Sequence, residues 1–409
     1  MKLPFGKTLI IYSLSVLIVG TFLFLFLDNS FDNNYLLINS NPTPKKKLAL
    51  VVSVSTFHYE VSIFFAWQLQ KLGYEVRFWT VPPKLFSGYF DNSAMDKVAS
   101  RTEYIYENLP FFKRIPKSEI TVFITGVREI KYFKEKGVLN KMISNTNRMF
   151  MVNHHYDEAV KVAEYCRIDN HCTIMHLAKH LDTESKKFLQ RSNITTSSTT
   201  YVYPVFNVSE VYPSIKTIPK NPKDPLKLTI QGNAQNKRRN YDGLFTNLER
   251  EKEITPWKLN ILGHGASTMD IPNVLIPHVK KFDDVPFDKF YSVIKNSDFL
   301  LAFLQPDYHY DTNRATSSVP AAIMCQVPIL LTQKFLNIYD CLAKSPIHQK
   351  VSKYSDADGL AAVMKLSVRE LILARKEAEH CFVEWTTQNA EVIRQIMIPP
   401  TTTNPLTSL

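Results

Sequence analysis

Residues 48–81 alternate between two patterns that decide the fold class. LALVVSVS (48–55) is a continuous apolar run of strand length, and YEVRFWTV (74–81) is strand-like again. Between them, the stretch from Tyr59 to Leu72 carries apolar residues at helical spacing. Short and almost uniformly apolar strands are typical of parallel sheets, which are covered on both faces. The segment therefore predicts one β-α-β unit.

The same alternation continues along the chain in two series. Further buried strands are predicted at 120–125, 148–154, 173–178 and 200–206, then at 227–232, 258–263, 273–279, 299–304 and 328–332. Helices are predicted near 240–251, 286–296 and 318–326. Between the series, the stretch from Tyr212 to Pro225 holds four prolines and no apolar period, which indicates a linker. The pattern predicts an α/β protein with two Rossmann-like, doubly wound domains facing each other across a cleft.

These patterns predict boundaries for the whole chain. We expect a cytosolic tip and transmembrane anchor at 1–27, a stem at 28–47, an N-terminal domain at 48–212, a linker at 213–226, a C-terminal domain at 227–375, a helix bracing the two domains at 376–398, and a tail at 399–409. Open α/β sheets bind ligands beyond the carboxyl ends of their strands. The loops that follow the strands are therefore where a site is expected.

The N-terminus predicts a membrane anchor. Thr8 to Leu27 carries no charge and as a helix would reach about 30 Å, the thickness of a hydrocarbon core. A cleaved signal peptide has a shorter apolar stretch and a small-residue cleavage site, and this segment runs directly into Asp28. Lysines precede the span and aspartates follow it, so the body is predicted to be lumenal, in the endoplasmic reticulum or Golgi. Lys45 to Lys47 oppose this orientation, whereas two acceptor sequons, at Asn193 and Asn207, fit it.

Charge and cysteine usage limit the possible partners. The 409 residues carry a formal charge of +11, which suits an anionic ligand such as a nucleic acid, a membrane surface or a nucleotide diphosphate. We find no zinc-knuckle spacing and no RNA-binding aromatic strand, and expect no nucleic-acid partner. The five cysteines include no Cys-x-x-Cys pair, so metal binding through sulfur is not expected. Cys166 and Cys172 either close a small disulfide or stay two thiols.

The loop after the first strand of the second series is a candidate phosphate site. It runs from Gly232 through Lys237, Arg238 and Arg239 and leads into a helix that begins near Tyr241. Free N–H groups and the dipole at a helix N-terminus add to the charge of such cations. A diphosphate fits this pattern, and so does a solvated basic turn.

A second candidate is the hydroxyl-rich turn Thr316-Ser317-Ser318, within the segment from Arg314 to Pro320. It precedes a predicted helix, and hydroxyls and amides at such a turn hold a phosphate without another buried charge. The alternative is simple helix capping by Ser317 or Ser318.

His58 is the candidate general base. It lies in the loop after the opening strand, and imidazole titrates near neutral pH, so it can take a proton from an acceptor hydroxyl. The alternative is an ordinary polar loop residue. His154 and His155 end another predicted strand and are weaker candidates for acceptor contacts. Asp356-Ala-Asp358 matches a metal-binding motif literally, but its position before an amphipathic stretch favours helix capping, and no metal is predicted.

A family resemblance adds to this interpretation. LNILGHG, VKKFDDVPFDKFYSVIKNSDFLLAF and TSSVPAAIMCQVPILL, between Trp257 and Leu331, resemble the C-terminal half of GT-B glycosyltransferases. The chain also resembles fungal glycosyltransferase-like type II membrane proteins with QGN…RR-x-Y and a Tyr310…Ser317-Ser318…Pro328 segment. The resemblance implies a nucleotide-sugar donor bound between two domains, a glycan, protein or lipid acceptor, and no cofactor besides the donor.

The resemblance also suggests roles for single residues. Lys237 and Arg238 fall where GT-B enzymes place diphosphate-binding cations, and Ser318 falls where the UDP-glycosyltransferase family has a phosphate-binding serine. His58 lies fifteen residues before Gly73, a spacing similar to that of the catalytic histidine in that family. The Glu-x7-Glu pair of retaining GT-B enzymes is missing, and Asn313 and Ala321 hold its positions here.

Three functions are compatible with these observations. The leading hypothesis is a metal-independent GT-B glycosyltransferase of the secretory pathway. The missing glutamate pair and the incomplete donor signature favour an alternative, a non-catalytic GT-B-like module that binds a glycan or a partner. A third hypothesis is a membrane-bound transporter or receptor subunit with a periplasmic-binding-like body.

Overall fold

The computed structural model describes residues 46–54, 58–80, 92–105, 115–166, 172–194, 198–251 and 254–397. The predicted anchor, nearly all of the predicted stem and the predicted tail lie outside these residues. Among the residues described, none of the helices has both the length and the apolar character that a membrane crossing requires. From Lys46 onwards the chain forms one compact unit, so the predicted domain boundaries stay a prediction.

The first half of this unit is built on a parallel sheet. Within the described residues it has seven strands in the order β3-β2-β1-β4-β5-β6-β7. They are β1 (Leu48–Ser53), β2 (Glu75–Thr80), β3 (Arg101–Tyr104), β4 (Ser118–Phe123), β5 (Thr146–Asn153), β6 (Cys172–His176) and β7 (Ser198–Tyr201). The accompanying helices are α1 (Tyr59–Lys71), α2 (Asn92–Val98), α3 (Val127–Glu135), α4 (Leu139–Ser144), α5 (Ala159–Cys166), α6 (Lys179–Arg191) and α7 (Val208–Val211), with a 3₁₀ turn at Tyr156–Glu158.

The second half repeats the plan on a smaller scale. Its parallel sheet has five strands, among the described residues, in the order β10-β9-β8-β11-β12. They are β8 (Leu226–Gln231), β9 (Trp257–Leu262), β10 (Val279–Phe282), β11 (Phe299–Leu301) and β12 (Ile329–Leu330). The helices are α8 (Tyr241–Glu251), α9 (Phe287–Lys295), α10 (Ser318–Met324), α11 (Gln333–Leu336), α12 (Asp340–Lys344), α13 (Pro346–Val351), α14 (Asp356–Met364) and α15 (Val368–Met397), with 3₁₀ turns at Asn273–His278 and Pro306–Tyr308.

The central strands are buried on both faces, as their sequences predict. Successive side chains of β1 point to opposite faces and belong to two separate hydrophobic clusters. Ala49 and Val51 belong to one cluster, and Leu50 and Val52 belong to the other. Helices cover both faces, so an uninterrupted apolar strand is favourable. The predicted parallel α/β class, with two doubly wound sheets, is confirmed.

Two strand predictions are wrong in part, and proline explains both. The stretch 273–279 was predicted as a strand, but it forms a 3₁₀ turn that contains Pro277, and the strand begins only at Val279. Strand β7 ends at Tyr201, before Pro204, although the apolar run continues to Phe206. Proline has no N–H to donate to a ladder. Strand β3 was not predicted at all.

The long helix α15 contacts both halves. Near its start, Arg375 donates to the carbonyl oxygens of Lys295 and Ser297 in the second half. Further along, Trp385 stacks on Tyr203 of the first half, with ring centroids 4.1 Å apart. Asn389 exchanges two hydrogen bonds with the Tyr203 backbone, at 2.9 and 2.6 Å. The helix therefore crosses from one half to the other.

Two disulfides occur among the described residues. Cys166 is bonded to Cys172, one of the two alternatives left open by the sequence. Cys341 of α12 is bonded to Cys381 of α15, a pair that the sequence analysis did not identify. Cys325 is a buried thiol. The second bond fixes the crossing helix to the second half.

Candidate functional site

The carboxyl edges of the two sheets meet, and the predicted site residues lie on the loops along these edges. In the first half, His58 follows β1, and His154 and His155 follow β5. In the second half, the Gly232 loop follows β8 and the Thr316 turn follows β11. The backbones of His155 and Arg314 form an antiparallel bridge between the two halves.

Gly232 lets the loop after β8 turn closely over its neighbour. Its φ of 120° is a conformation that side chains rarely adopt, and an added Cβ would lie 2.8 Å from Nη2 of Arg239. Gly263, after β9, has a φ of 135°, and a Cβ there would collide with the carbonyl oxygen of Gly232. The two glycines thus allow the loops to pack backbone against backbone.

Arg239 joins the two predicted phosphate loops from the inside. Its guanidinium is 3% exposed and donates through Nε and Nη2 to the carbonyl oxygen of Gln231, at 3.2 and 2.9 Å. Nη2 also donates to Oγ of Ser318 at 2.9 Å, and Nε2 of Gln231 donates to the same oxygen at 2.9 Å. Burial lowers the pKa of Arg239. The group nevertheless remains charged, because the ordinary pKa of a guanidinium is very high.

The predicted phosphate-binding residues therefore divide into two sets. Arg239, Thr316 and Ser318 are buried, and Oγ1 of Thr316 accepts from the Ser318 amide at 3.3 Å. Lys237 and Ser317 are exposed on the same loops. The buried set holds the two loops together, and the exposed set can be reached by a ligand. Phosphate binding by these residues stays a prediction.

Two guanidinium groups lie close to the ring of Tyr308. Arg314 lies over its ring with Cζ 4.3 Å from the centroid, and Cζ of Arg238 lies 5.3 Å from the same centroid. Within the described part of the chain, neither arginine takes part in an ion pair, and Nε of Arg238 is enclosed without a hydrogen-bond partner. Two unneutralised cations this close together create a local field that attracts an anion.

Arg314 opens the second predicted loop, but the sequence analysis gave it no role of its own. Besides the bridge to His155, its carbonyl oxygen accepts from Nε2 of His180 at 3.3 Å. The first half thus holds its backbone, while its side chain lies over the Tyr308 ring of the second half. No local pattern shows these contacts, because residues far apart in the chain make them.

His58 begins α1 with a left-handed backbone, φ 70° and ψ 30°. Its ring packs on that of His154 with centroids 3.8 Å apart, and Nδ1 lies 3.8 Å from a carboxylate oxygen of Glu60. Nε2 of His154 lies 2.7 Å from the carbonyl oxygen of Ile124. Desolvation lowers the pKa of His154 well below its ordinary value and also lowers the pKa of His155.

Two acidic groups near the second sheet contain residue types that bind metals. His264, Asp283 and Asp284 have ligand atoms within 4.8 Å of one another, but Asp283 already accepts from the Gly265 amide at 2.9 Å. At the other group, Ser355 caps α14 by accepting from the Asp358 amide at 3.2 Å. Asp356 and Asp358 lie in the first turn of α14, and the capping residue is Ser355 rather than either aspartate.

Two surface cavities lie away from this edge. One of about 310 Å³ is lined by Trp67, Lys97 and Glu210, and one of about 500 Å³ is lined by Asp242, Glu249 and Asp270. Neither includes a predicted site residue. Loop position and charge, rather than a cavity, identify the sheet edge as the candidate site.

Comparison with known proteins places the fold. No family model and no curated protein matches the chain. Among solved structures, a glycosyltransferase from Rickettsia africae is 11% identical, with 87% of this chain and 100% of the other covered and a TM-score of 0.57. An α-glucosyltransferase in complex with UDP and a 13-mer DNA is 13% identical, with 87% and 100% covered and a TM-score of 0.58. HepE from Anabaena, in complex with UDP-glucose, is 8% identical, with 85% and 100% covered and a TM-score of 0.53.

One of these structures corrects an expectation. The α-glucosyltransferase was solved with DNA, so a protein of this fold can form a complex with a nucleic acid. The absence of a zinc knuckle and of an RNA-binding strand was therefore a wrong reason to exclude a nucleic-acid partner. The likeness covers both halves of the chain, and it shows that this protein has the two-domain α/β fold of these glycosyltransferases, as the GT-B resemblance implies.

Proposed function

We propose that the protein is a glycosyltransferase that uses a nucleotide-sugar donor. One observation carries the proposal: Arg238 and Arg314, which form no ion pair with any described residue, both lie close to the Tyr308 ring where the carboxyl edges of the two sheets meet. Relatives in fold were solved with UDP or UDP-glucose bound. A nucleotide diphosphate has the charge and the hydrogen-bond acceptors that this arrangement would recognise.

The proposed donor contacts follow from accessibility. Guanidinium groups donate in a planar fork that matches phosphate oxygens, so Arg238 and Arg314 would bind the diphosphate. Lys237 and Ser317 are exposed nearby and would contribute from the loop surfaces. Arg239 would act through Ser318 and Gln231, by holding the loops in place. The proposed reaction needs no cofactor besides the donor.

His58 would take the proton in the transfer step. As the acceptor oxygen bonds to the anomeric carbon, the bond from that carbon to the diphosphate breaks, and the acceptor proton passes to the imidazole. Negative charge then develops on the departing diphosphate. Two guanidinium groups already in place stabilise that charge without reorganisation.

Nucleotide binding tests the proposal. Calorimetric titration of the purified full-length protein with UDP and GDP is expected to show saturable binding to at least one of them. Charge-assisted hydrogen bonds contribute about 1.5–3 kcal/mol, so Arg238→Ala and Arg314→Ala should each weaken binding roughly tenfold to a hundredfold. Arg101→Ala, on an exposed side chain of β3, is the matched control and should have no effect. Failure to bind either nucleotide would contradict the proposal.

A non-catalytic nucleotide- or glycan-binding module is the second candidate. Asn313 and Ala321 hold the positions at which retaining GT-B enzymes carry glutamates, and Ala321 is buried in α10. Incubation with a panel of nucleotide sugars separates the candidates. Release of the nucleotide by hydrolysis or transfer supports the enzyme, and saturable binding without turnover supports the module.

We also propose that the body lies in the lumen of the secretory pathway behind one N-terminal span. The uncharged segment Thr8 to Leu27 and the two disulfides support this proposal, since disulfides persist in oxidising compartments. Protease protection in sealed microsomes tests it. Digestion of the body from the cytosolic side would contradict it.

A further inference from the structure

The backbone of His58 adopts a conformation that side chains seldom occupy. Its φ of 70° lies in the left-handed region, which is uncommon outside glycine although histidine is among the residues enriched there. Such conformations persist when the surrounding structure holds them, and they concentrate at functional sites. The side chains around His58 are therefore expected to hold this conformation.

His154 supplies the contact on the ring of His58. The two imidazoles lie 3.8 Å apart between centroids and are tilted by 31°. The ring of His154 is fixed in turn, because Nε2 lies 2.7 Å from the carbonyl oxygen of Ile124. A carbonyl oxygen only accepts, so Nε2 carries a proton, and this bond defines the orientation of the ring. Desolvation lowers the pKa of His154 well below its ordinary value, which favours the neutral ring.

Glu129 holds the backbone on either side of this ring pair. It is fully buried, and its Oε1 accepts from the Val54 amide at 3.0 Å. Its Oε2 accepts from the Thr125 amide at 2.8 Å, and the Thr125 hydroxyl donates to both oxygens at 2.7 Å. Val54 precedes His58 by four residues, and Thr125 follows Ile124, the residue that fixes His154.

Glu129 and His154 thus contact adjacent residues, Thr125 and Ile124, after β4. We call these two side chains and the backbone that they contact the frame. The carboxylate ties the end of β1 to the end of β4, and the imidazole is attached to the peptide next to Thr125. A buried carboxylate is costly unless its oxygens are hydrogen-bonded, and here both are. Burial raises the pKa of Glu129 despite these bonds. Since neither side chain reaches the arginines of the second half in any contact among the described residues, their effect is directed at the His58 side of the site.

We propose that His154 and Glu129 are positioning residues for His58: the packed ring sets the orientation of the imidazole, and the carboxylate joins the ends of β1 and β4, which lie on the same edge as His58. This inference rests on the proposed function, in which His58 takes the acceptor proton. Misplacement of a reacting group by about 1 Å can cost about a hundredfold in rate. The two residues therefore affect turnover without contributing to donor affinity.

Two substitutions of His154 separate its two contacts. His154→Phe keeps a ring to stack on His58 but loses the donor to Ile124, and His154→Gln keeps an amide donor but loses the ring. We expect His154→Gln to lower turnover of the best nucleotide sugar from the panel about a hundredfold, with UDP affinity unchanged, and His154→Phe to retain more of the turnover. His278→Ala is the control, because His278 is an exposed histidine that packs on Trp257 in the second half.

Glu129→Gln tests the backbone part of the frame. The carboxylate presents an oxygen to each of two amide donors, whereas the amide of glutamine presents an NH₂ group to one of them. One bond is lost and two donors face each other, so we expect turnover to fall at least tenfold with UDP affinity unchanged. Glu119→Gln, on the partly exposed side chain of a neighbouring strand, is the control.

A spectroscopic measurement keeps this inference separate from the proposed function. In histidine-labelled protein, the His58 ring signals should carry a ring-current shift that His154→Gln abolishes and His154→Phe preserves. Unchanged His58 signals in His154→Gln would overturn the inference, even if the protein proves to be an enzyme. Equal losses of turnover and UDP affinity would also overturn it. No nucleotide binding by the wild type would instead contradict the proposed function, and the spectra would still decide the positioning.

Discussion

The two edges that meet at the candidate site use opposite chemistry. The edge of the second half carries cations, at Arg238, Arg239 and Arg314. The edge of the first half carries the histidines 58, 154, 155, 176 and 180, and desolvation lowers the pKa of the last four. Fixed charge is thus placed on one side and neutral imidazole on the other. A charged phosphate and a proton in transit need these two environments separately.

His58→Ala tests this division with the largest expected effect. General base catalysis contributes about 100-fold to 10,000-fold, so turnover should fall by that factor while UDP affinity stays the same. Steady-state kinetics and calorimetry measure the two quantities. His264→Ala, which removes an exposed histidine from the cationic half, should leave both unchanged. Equal turnover in wild type and His58→Ala would remove the proton-accepting role from the first half.

Trp385→Ala tests whether the two edges are held together by α15. The side chain is buried and stacks on Tyr203, and removal of a buried tryptophan costs about 3–5 kcal/mol. Chemical denaturation should show a loss of that size. Val383→Ala, one half-turn away and exposed, should cost little. A Trp385→Ala protein of wild-type stability would show that the halves do not depend on this helix.

His176 makes the first half sensitive to acid. Its ring is buried, neither nitrogen has a hydrogen-bond partner among the described residues, and desolvation lowers its pKa to about 4. The unfolded chain binds the proton at its ordinary pKa of about 6.5, so stability is complete above that pH and falls as the pH drops toward 4. The difference corresponds to roughly 3 kcal/mol.

Unfolding curves between pH 7 and pH 4 measure this effect. His176→Gln should be less stable at pH 7 but should show a flatter decline with acid. The same steep decline in wild type and His176→Gln would assign the acid sensitivity to other groups.

Ser318→Ala and Ser317→Ala form the smallest and most closely matched pair. Ser318 accepts from Arg239 and Gln231, and its loss leaves buried donors unpaired at a cost of about 1–3 kcal/mol. Ser317 is exposed, so its loss should change stability by less than about 0.5 kcal/mol. Thermal unfolding compares the two variants. Equal stability losses would contradict the division into a buried framework and an accessible surface.

Local sequence carried most of the fold. The apolar strands and the loops after them could be predicted because burial on both faces leaves a continuous apolar signature. The 3₁₀ turn at Asn273–His278 was missed because its apolar letters resemble a strand, although Pro277 cannot support one. Local sequence patterns also assigned Arg239 and Ser318 to the correct loops. They did not predict that both residues are buried or that they form a hydrogen bond with each other.

The contacts between the halves could not be predicted in the same way. Arg314 depends on the bridge to His155, and the Cys341–Cys381 bond depends on where α15 crosses α12. Both join segments that are distant in sequence, and one chain alone carries no signal for such a pairing. The positions of these residues follow from tertiary packing rather than from composition or spacing.

A structure of the protein with UDP bound tests the central claim most directly. We expect the diphosphate at the junction of the two edges, with phosphate oxygens within hydrogen-bond distance of the guanidinium groups of Arg238 and Arg314. A nucleotide bound elsewhere, or bound at the junction with both guanidinium groups turned away from the phosphates, would contradict it.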